Sequence, residues 1–319
     1  MSILNKLTKT KAYLVEPERI VWLILLALIT FCMIASPIFT KPRNLTNVFL
    51  KQPVGMGIAS IGQAFVIISG GIDLSTGSVI SLLTSVTAGL FQHSPDMSLA
   101  RVVLIILGMG VAIGTINGFI VVVLRVTPFM ATLATMSVFQ GAALYYTKKT
   151  IGGIPRNFRL IADGSVGGIP FSILYLILVM MICYLVLNRN RLGRHLYAVG
   201  SDSYVARISG IALNRVRFLA YVIAGLLVAT ASMFLAARMG GGGPKVGVGY
   251  ELDSITAVVI GGVALSGGVG SLTGVFGGVL IISVFQNIMN LLDVSPFYQM
   301  LLKGLILIMA VSFYSGKYK

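Results

Sequence analysis

Ten stretches of this chain run nearly free of charge, at 20–36, 54–69, 78–91, 102–124, 128–146, 170–187, 218–237, 253–268, 271–292 and 297–314. An apolar helix of ~20 residues crosses the hydrocarbon core of a bilayer. So many such stretches leave a soluble fold too little polar surface: 56% of residues are hydrophobic and 10% charged, with a mean hydropathy of +0.95. The expected fold class is an all-α polytopic membrane protein of about ten hydrophobic elements, roughly eight to ten of them full transmembrane helices. Three stretches, 54–69, 78–91 and 253–268, are short for a crossing. One transmembrane domain covers 1–319, with an N-terminal tail over 1–19. The run that opens at Ile20 behind Lys6, Lys9, Lys11 and Arg19 is expected to be a retained first helix, because the leader is long and shows no clear cleavage site.

The formal charge of +15, from 24 Lys and Arg against 9 Asp and Glu, would suggest nucleic acid in a soluble protein. Here the basic residues sit mostly between spans, where they set topology and meet membrane lipid headgroups. No nucleic-acid partner is expected. Cys32 and Cys183 fall inside apolar stretches and read as free thiols. His93 and His195 stand alone, so no metal site is expected.

The longest polar run lies at 188–217 and carries six arginines against one acid, Asp202. An even number of spans puts both termini on one side, and a cytoplasmic placement puts this loop inside as well. The excess of lysine and arginine inside is small, so the orientation rests largely on this loop. Within it, Ser201 and Asp202 offer N-cap oxygens, 204–208 can form a short helix, and Gly210 supplies a stop. Ala206, Ile208 and Ile211 give that helix an apolar edge. The edge reads as a docking surface that passes a partner's motion to the membrane helices; the plainer alternative is a positive-inside anchor loop.

Glycine-rich breaks separate the short stretches. GGIDLSTGS at 70–78 and GGVALSGG at 261–268 share the pattern G-G-x-x-L-S-x-G, and V-T-P-F at 126–129 is echoed by V-S-P-F at 294–297. Paired interrupted helices in two halves mark an internal repeat of a transporter, although the spacing between the echoes differs in the two halves. Glycine lets helices unwind and backbones approach closely; packing alone is the other reading. Candidate residues of a translocation pathway are Gly70, Gly71, Asp73, Ser75, Asn117, Gly261, Gly262 and Ser266. Asp73 would face a cavity or cap a helix at the membrane surface. Lys303 is expected to snorkel to the surface. The ridges Gly110, Gly114, Gly118 and Gly270, Gly274, Gly278 give flat helix faces for packing.

No G-x-x-x-x-G-K-[ST] is present. The nearest approach, GGGGPKV at 240–246, lacks the spacing and the hydroxyl after the lysine. No Ser/His/Asp set and no H-E-x-x-H is found, so catalysis by this chain is not expected, and any ATP that drives it is bound by another polypeptide.

Five motifs together resemble one family: GGIDLSTGS at 70–78, TPFMATLATM at 127–136, LGRHLYAVGSDSYVARISGI at 192–211, YELDSITAVVIGGVALSGGVGS at 250–271 and FYQMLLKG at 297–304. This is the membrane permease subunit of bacterial sugar ABC importers of the ribose, xylose and galactoside type, and the resemblance runs from about Asn44 to Lys317. It implies an inner-membrane permease that works as a homodimer or heterodimer with a second permease copy. It also implies a cytoplasmic ATPase subunit that binds ATP and Mg, a periplasmic sugar-binding protein, and no cofactor on this chain. Ala206, Ser209, Gly210 and Ile211 match the family's coupling element; with Arg194 and Asp202 they form the expected ATPase-coupling set. Two competing readings are an ion-coupled carrier working alone and an ABC permease for another small solute, such as branched-chain amino acids or a sugar-derived signal molecule.

Overall fold

The computed structural model describes residues 17–315, so the basic leader over 1–16 lies outside the described residues. In chain order the helices are α1 (Pro17–Ala35), α2 (Pro42–Thr46), α3 (Gln52–Ile68), α4 (Thr76–His93), α5 (Leu99–Val122) and α6 (Pro128–Tyr146). They continue with α7 (Arg156–Asp163), α8 (Phe171–Tyr184), α9 (Arg191–Ser201), α10 (Ser203–Ile208) and α11 (Leu213–Met239). Last come α12 (Tyr250–Ile260), α13 (Leu272–Leu291) and α14 (Pro296–Ser315). Each of the ten charge-poor stretches thus contains a helix. Five-residue π-helical segments, Asn47–Lys51 and Leu185–Arg189, precede α3 and follow α8. Two-residue strands β1 (Ile151–Gly152), β2 (Ser165–Val166), β3 (Ile169–Pro170) and β4 (Gly241–Gly242) pair β1 to β4 and β2 to β3.

Local chemistry sets the helix starts. Proline stands in the first turn of α2, α3 and α6, where its fixed φ suits a helix and its missing N–H costs nothing. Ser98 and Ser271 cap α5 and α13 by accepting from the N–H groups of Arg101 and Gly274 at 3.4 and 3.1 Å. α3 is buried from Pro53 to Ile68 and packs against α11, which supplies Tyr221 and Phe234, two of the largest fully buried side chains. Leu104, Val138, Ile177 and Ile308 on the outer helices are exposed, as a surface facing lipid tails requires. The glycine ridge of α5 lies on α11: a Cβ at Gly110 would strike Ala229, one at Gly114 the Tyr221 carbonyl, and one at Gly118 would come within 3.0 Å of Phe218. α5 and α11 therefore run antiparallel in close backbone contact.

α12 has only 11 residues, about 16 Å of helix against a hydrocarbon core of ~30 Å. The stretch 240–249, a series of turns after β4, leads into α12. It runs along α4: Gly242 sits on the Thr84 carbonyl with no room for a side chain, and the Gly247 N–H donates to the Ser81 hydroxyl at 3.0 Å. The GGGGPKV stretch, which has no phosphate-binding spacing, is thus a third helix break.

The halves of the bundle match in an inverted sense. α3 and α11 both end on a left-handed glycine, Gly70 (φ 83°) and Gly240 (φ 65°). α5 and α13 are each followed by a left-handed residue other than glycine, Arg125 (φ 57°) and Asp293 (φ 53°), just before V-T-P-F and V-S-P-F. Arg125 shares a cavity with Arg217 near the start of α11. Gln286, near the end of α13, shares one with Arg238 at the end of α11. The two turns accordingly lie at opposite ends of the bundle.

The two G-G-x-x-L-S breaks, expected at equivalent points of the halves, are not repeat partners. Both lie at the end where α11 begins, and they touch. Their backbone register also differs by one residue, because the left-handed position is the first glycine, Gly70, in one and the second, Gly262 (φ 86°), in the other. The polar loop read as 188–217 is shorter than expected, since α11 begins at Leu213 and takes Arg215 and Arg217 into its first turns. The stretch 253–268 is helical only as far as Ile260.

Candidate functional site

The two helix breaks meet on the segment that joins α8 to α11. The Gly268 N–H donates to the Ile68 carbonyl at 2.9 Å, at the end of α3. Gly200 of α9 lies against both: a Cβ there would strike the Ile68 carbonyl and come within 2.5 Å of the Gly268 nitrogen. A Cβ at Gly267 would sit 3.0 Å from Gly70 Cα and from the Gly200 carbonyl. The Tyr197 hydroxyl, one turn back on α9, donates to the Gly270 carbonyl at 2.8 Å. Three segments far apart in sequence therefore close on one another through glycine backbones, and a displacement of α9 bears on both breaks at once.

α10 follows that junction directly. Asp202 caps it, its Oδ1 accepting from the N–H groups of Tyr204 and Val205 at 2.8 and 3.0 Å. Gly210 (φ 81°) ends it, and the Ile211 N–H closes the turn on the Ala206 carbonyl at 3.0 Å. The expected apolar edge needs correction: Ala206 is only 3% exposed and faces the bundle, and Ile211 is half-buried. The exposed apolar side chains are Tyr204, Val205 and Ile208, at 72%, 50% and 68%. Arg194 and Ser209 are exposed on the same end of the molecule.

Asp73 is 5% exposed and sits inside the bundle, not at its surface. Its neighbour Ile72 accepts from the Tyr221 hydroxyl at 3.4 Å, eight residues into α11, or about 12 Å from its start. Asp73 Oδ1 accepts from the Ser75 N–H at 2.8 Å and the Ser75 hydroxyl at 2.6 Å. The Ser75 oxygen in turn accepts from the Asn117 amide at 2.8 Å. Gln63, with its amide oriented to satisfy both partners, donates to the Asp73 carbonyl at 3.0 Å and accepts from the Asp73 N–H at 3.2 Å. Asp73, Ser75 and Asn117 thus form one buried network that fixes the start of α4. Gly71 closes on Tyr221, with 2.7 Å between a would-be Cβ and the hydroxyl, and Gly261 closes on the Gly274 carbonyl at 2.5 Å. Ser266 is exposed and apart from these groups.

Residues 47–311 match the family described as the branched-chain amino acid transport system permease component. The chain belongs to that family of permeases. It is 41% identical to the ribose import permease protein of Bacillus subtilis (strain 168), over 90% of this chain and 89% of that one. It is 36% identical to the ribose import permease protein of Escherichia coli (strain K12), over 95% and 94%. To the galactose/methyl galactoside import permease protein of the same strain it is 34% identical, over 100% and 99%. No solved structure matches the chain.

A second polar network of the permease was not anticipated from its sequence. Lys303, expected to snorkel, instead places its Nζ 2.8 Å from Asp253 Oδ2, and the Gln286 amide donates to the same oxygen at 3.0 Å. Asp253 stands between two cavities, one of about 340 Å³ shared with Gln52, Arg238 and Tyr250 and one of about 310 Å³ shared with Thr256 and Gln299. The signal available was an acid and a lysine in separate apolar stretches, since charges at such depth pair with each other.

Proposed function

We propose that this chain is the membrane permease subunit of an ATP-driven importer that carries a monosaccharide, a ribose-like pentose or a hexose, across the bacterial inner membrane. The observation that carries the mechanism is the seating of both helix breaks on Gly200 of α9, three residues before the capped helix α10. A cytoplasmic ATPase that binds ATP and Mg docks on the exposed edge of α10, as an apolar anchor seats in a partner's groove. Its motion passes along the rigid turn between α10 and α9 to the ends of α3 and α12. A periplasmic sugar-binding protein delivers the solute at the far end, and a second permease copy completes the transporter.

The ribose and galactoside relatives support a sugar over a branched-chain amino acid. The acids of the described spans support the coupled reading over an ion-driven carrier, because Asp73 Oδ1 is held by Ser75, Asp253 Oδ2 by Lys303 and Glu251 Oε1 by the Gly249 N–H. The test is uptake of labelled ribose and galactose into proteoliposomes holding the permease, its ATPase and its binding protein. Uptake should need ATP inside and all three proteins. Uptake by the permease alone, driven by a sodium or proton gradient, would overturn the proposal.

A further inference from the structure

At the end of the bundle where α11 begins, a cavity of about 530 Å³ opens between the Gly70 break, the α5–α6 turn, α10 and the first turns of α11. Three arginines from three separate elements line it: Arg125 on the turn, Arg207 on α10 and Arg217 on α11, with Asn214 beside them. No carboxylate lines it. Among the described residues none of the three guanidinium groups makes a hydrogen bond or an ion pair, and the Nε of Arg217 is buried without a partner. Arg125 is moreover held in the left-handed region (φ 57°), which costs a residue with a side chain ~1–2 kcal/mol. Three like charges around one cavity repel one another, and a buried N–H without an acceptor is destabilising. An anion with several acceptor oxygens relieves both, and the guanidinium fork matches phosphate geometry.

We infer that this cavity is a binding site for a phosphate group, which ties the coupling helix to the first helix break. Its ligand bridges Arg207 on α10 to Arg217 on α11 beside Gly70, so occupancy biases the segment through which the ATPase acts. Val123, Leu124, Phe129 and Met130, next to Arg125 on the same turn, are exposed and apolar. That rim accommodates the acyl chains of an anionic phospholipid. A soluble phosphomonoester presents the same oxygens, and the experiment separates the two. The inference does not depend on which solute is carried.

The test uses full-length permease and the variants Arg125→Gln, Arg207→Gln and Arg217→Gln, each checked for monodispersity and unchanged melting. Arg191→Gln and Arg194→Gln, arginines of α9 that do not line the cavity, serve as controls. In one arm, native mass spectrometry counts phosphatidylglycerol retained from mixed phosphatidylglycerol and phosphatidylcholine vesicles. In the other, ribose 5-phosphate and inorganic phosphate are titrated onto permease in pure phosphatidylcholine nanodiscs. Retention or titration weakened roughly tenfold or more by each cavity substitution, and unchanged in the controls, supports the site. Loss in the first arm alone assigns the lipid, and loss in the second the soluble phosphate. No binding in either arm, or equal weakening in the α9 controls, overturns it.

Discussion

Replacing Gly200 by alanine tests whether the junction of the two breaks transmits motion. The added methyl has nowhere to go: it meets the Ile68 carbonyl at the end of α3 and the Gly268 nitrogen in the break before α13, both backbone atoms, so the junction must part. Overpacking of a tight site costs about 1–3 kcal/mol, and loss of the Gly268 N–H bond to Ile68 adds about 1 kcal/mol. The closed junction is thereby disfavoured by about 2–4 kcal/mol, a shift of roughly 30- to 1,000-fold in its equilibrium. α3 and α12 remain packed on α11 and α13, so the chain should still insert and melt as a bundle. Hydrogen exchange at the Gly268 amide should accelerate by a comparable factor. ATP hydrolysis stimulated by the sugar-loaded binding protein should fall, while the ATPase still co-purifies because the face of α10 is untouched. Gly210→Ala is the contrast: nothing lies within 4 Å of its Cβ position, so only the φ of 81° is strained, at ~1–2 kcal/mol. A Gly200→Ala permease with native exchange at Gly268 and full stimulation would refute the reasoning.

Three further outcomes are expected. Ile208→Glu should release the ATPase in a pull-down without altering the permease's melting, whereas Ala206→Glu should destabilise the permease itself by several kcal/mol through a buried charge; equal effects of the two would contradict the observed orientation of α10. Asp202→Ala should cost about 1 kcal/mol of helix capping and speed exchange at Tyr204 and Val205 about fivefold, read by hydrogen-exchange mass spectrometry; unchanged exchange would mean the cap does not hold α10. Lys303→Met should destabilise by about 3 kcal/mol by leaving Asp253 unpaired, and adding Asp253→Asn should recover most of that loss; a double variant no more stable than the single one would show that the pair is not what holds α12 to α14.

Much of the fold was legible because a bilayer imposes length and apolarity on every element that crosses it. The cap at Asp202 and the stop at Gly210 were legible for a different reason, that both act on backbone groups within three residues. What stayed hidden depends on contacts between distant segments. α12 stops at Ile260 although the residues beyond it remain apolar, because its last carbonyls turn onto the left-handed Gly262. Ala206 could not be placed on a face, since α10 is too short to show a period. The pairing of Asp253 with Lys303 spans 50 residues and has no local signature. GGGGPKV fails as a phosphate loop, and spacing alone offered no other role for it. Two of its glycines are explained by the carbonyls they pack against, that of Ile151 for Gly241 and that of Thr84 for Gly242.

The inverted halves share a plan and differ in what secures it. In each, an acid beside the start of a broken helix is tied to an amide on the next long helix, Asp73 through Ser75 to Asn117 on α5 and Asp253 directly to Gln286 on α13. Around Asp73 the partners are the Ser75 N–H and hydroxyl and, through that hydroxyl, the Asn117 amide, all buried where α3, α4 and α5 meet. Around Asp253 the partners are the Gln286 amide and Lys303, a flexible chain on α14, with open volume on either side of the ion pair. A network of short side chains loses several bonds together when it opens. An ion pair beside a cavity exchanges one partner for water or solute hydroxyls at smaller cost. The physics therefore makes the first half the fixed frame of α4 and the second the place where α12 and α14 can part, so a rearrangement that begins at Gly200 and travels up α12 meets its most yielding contact at Asp253.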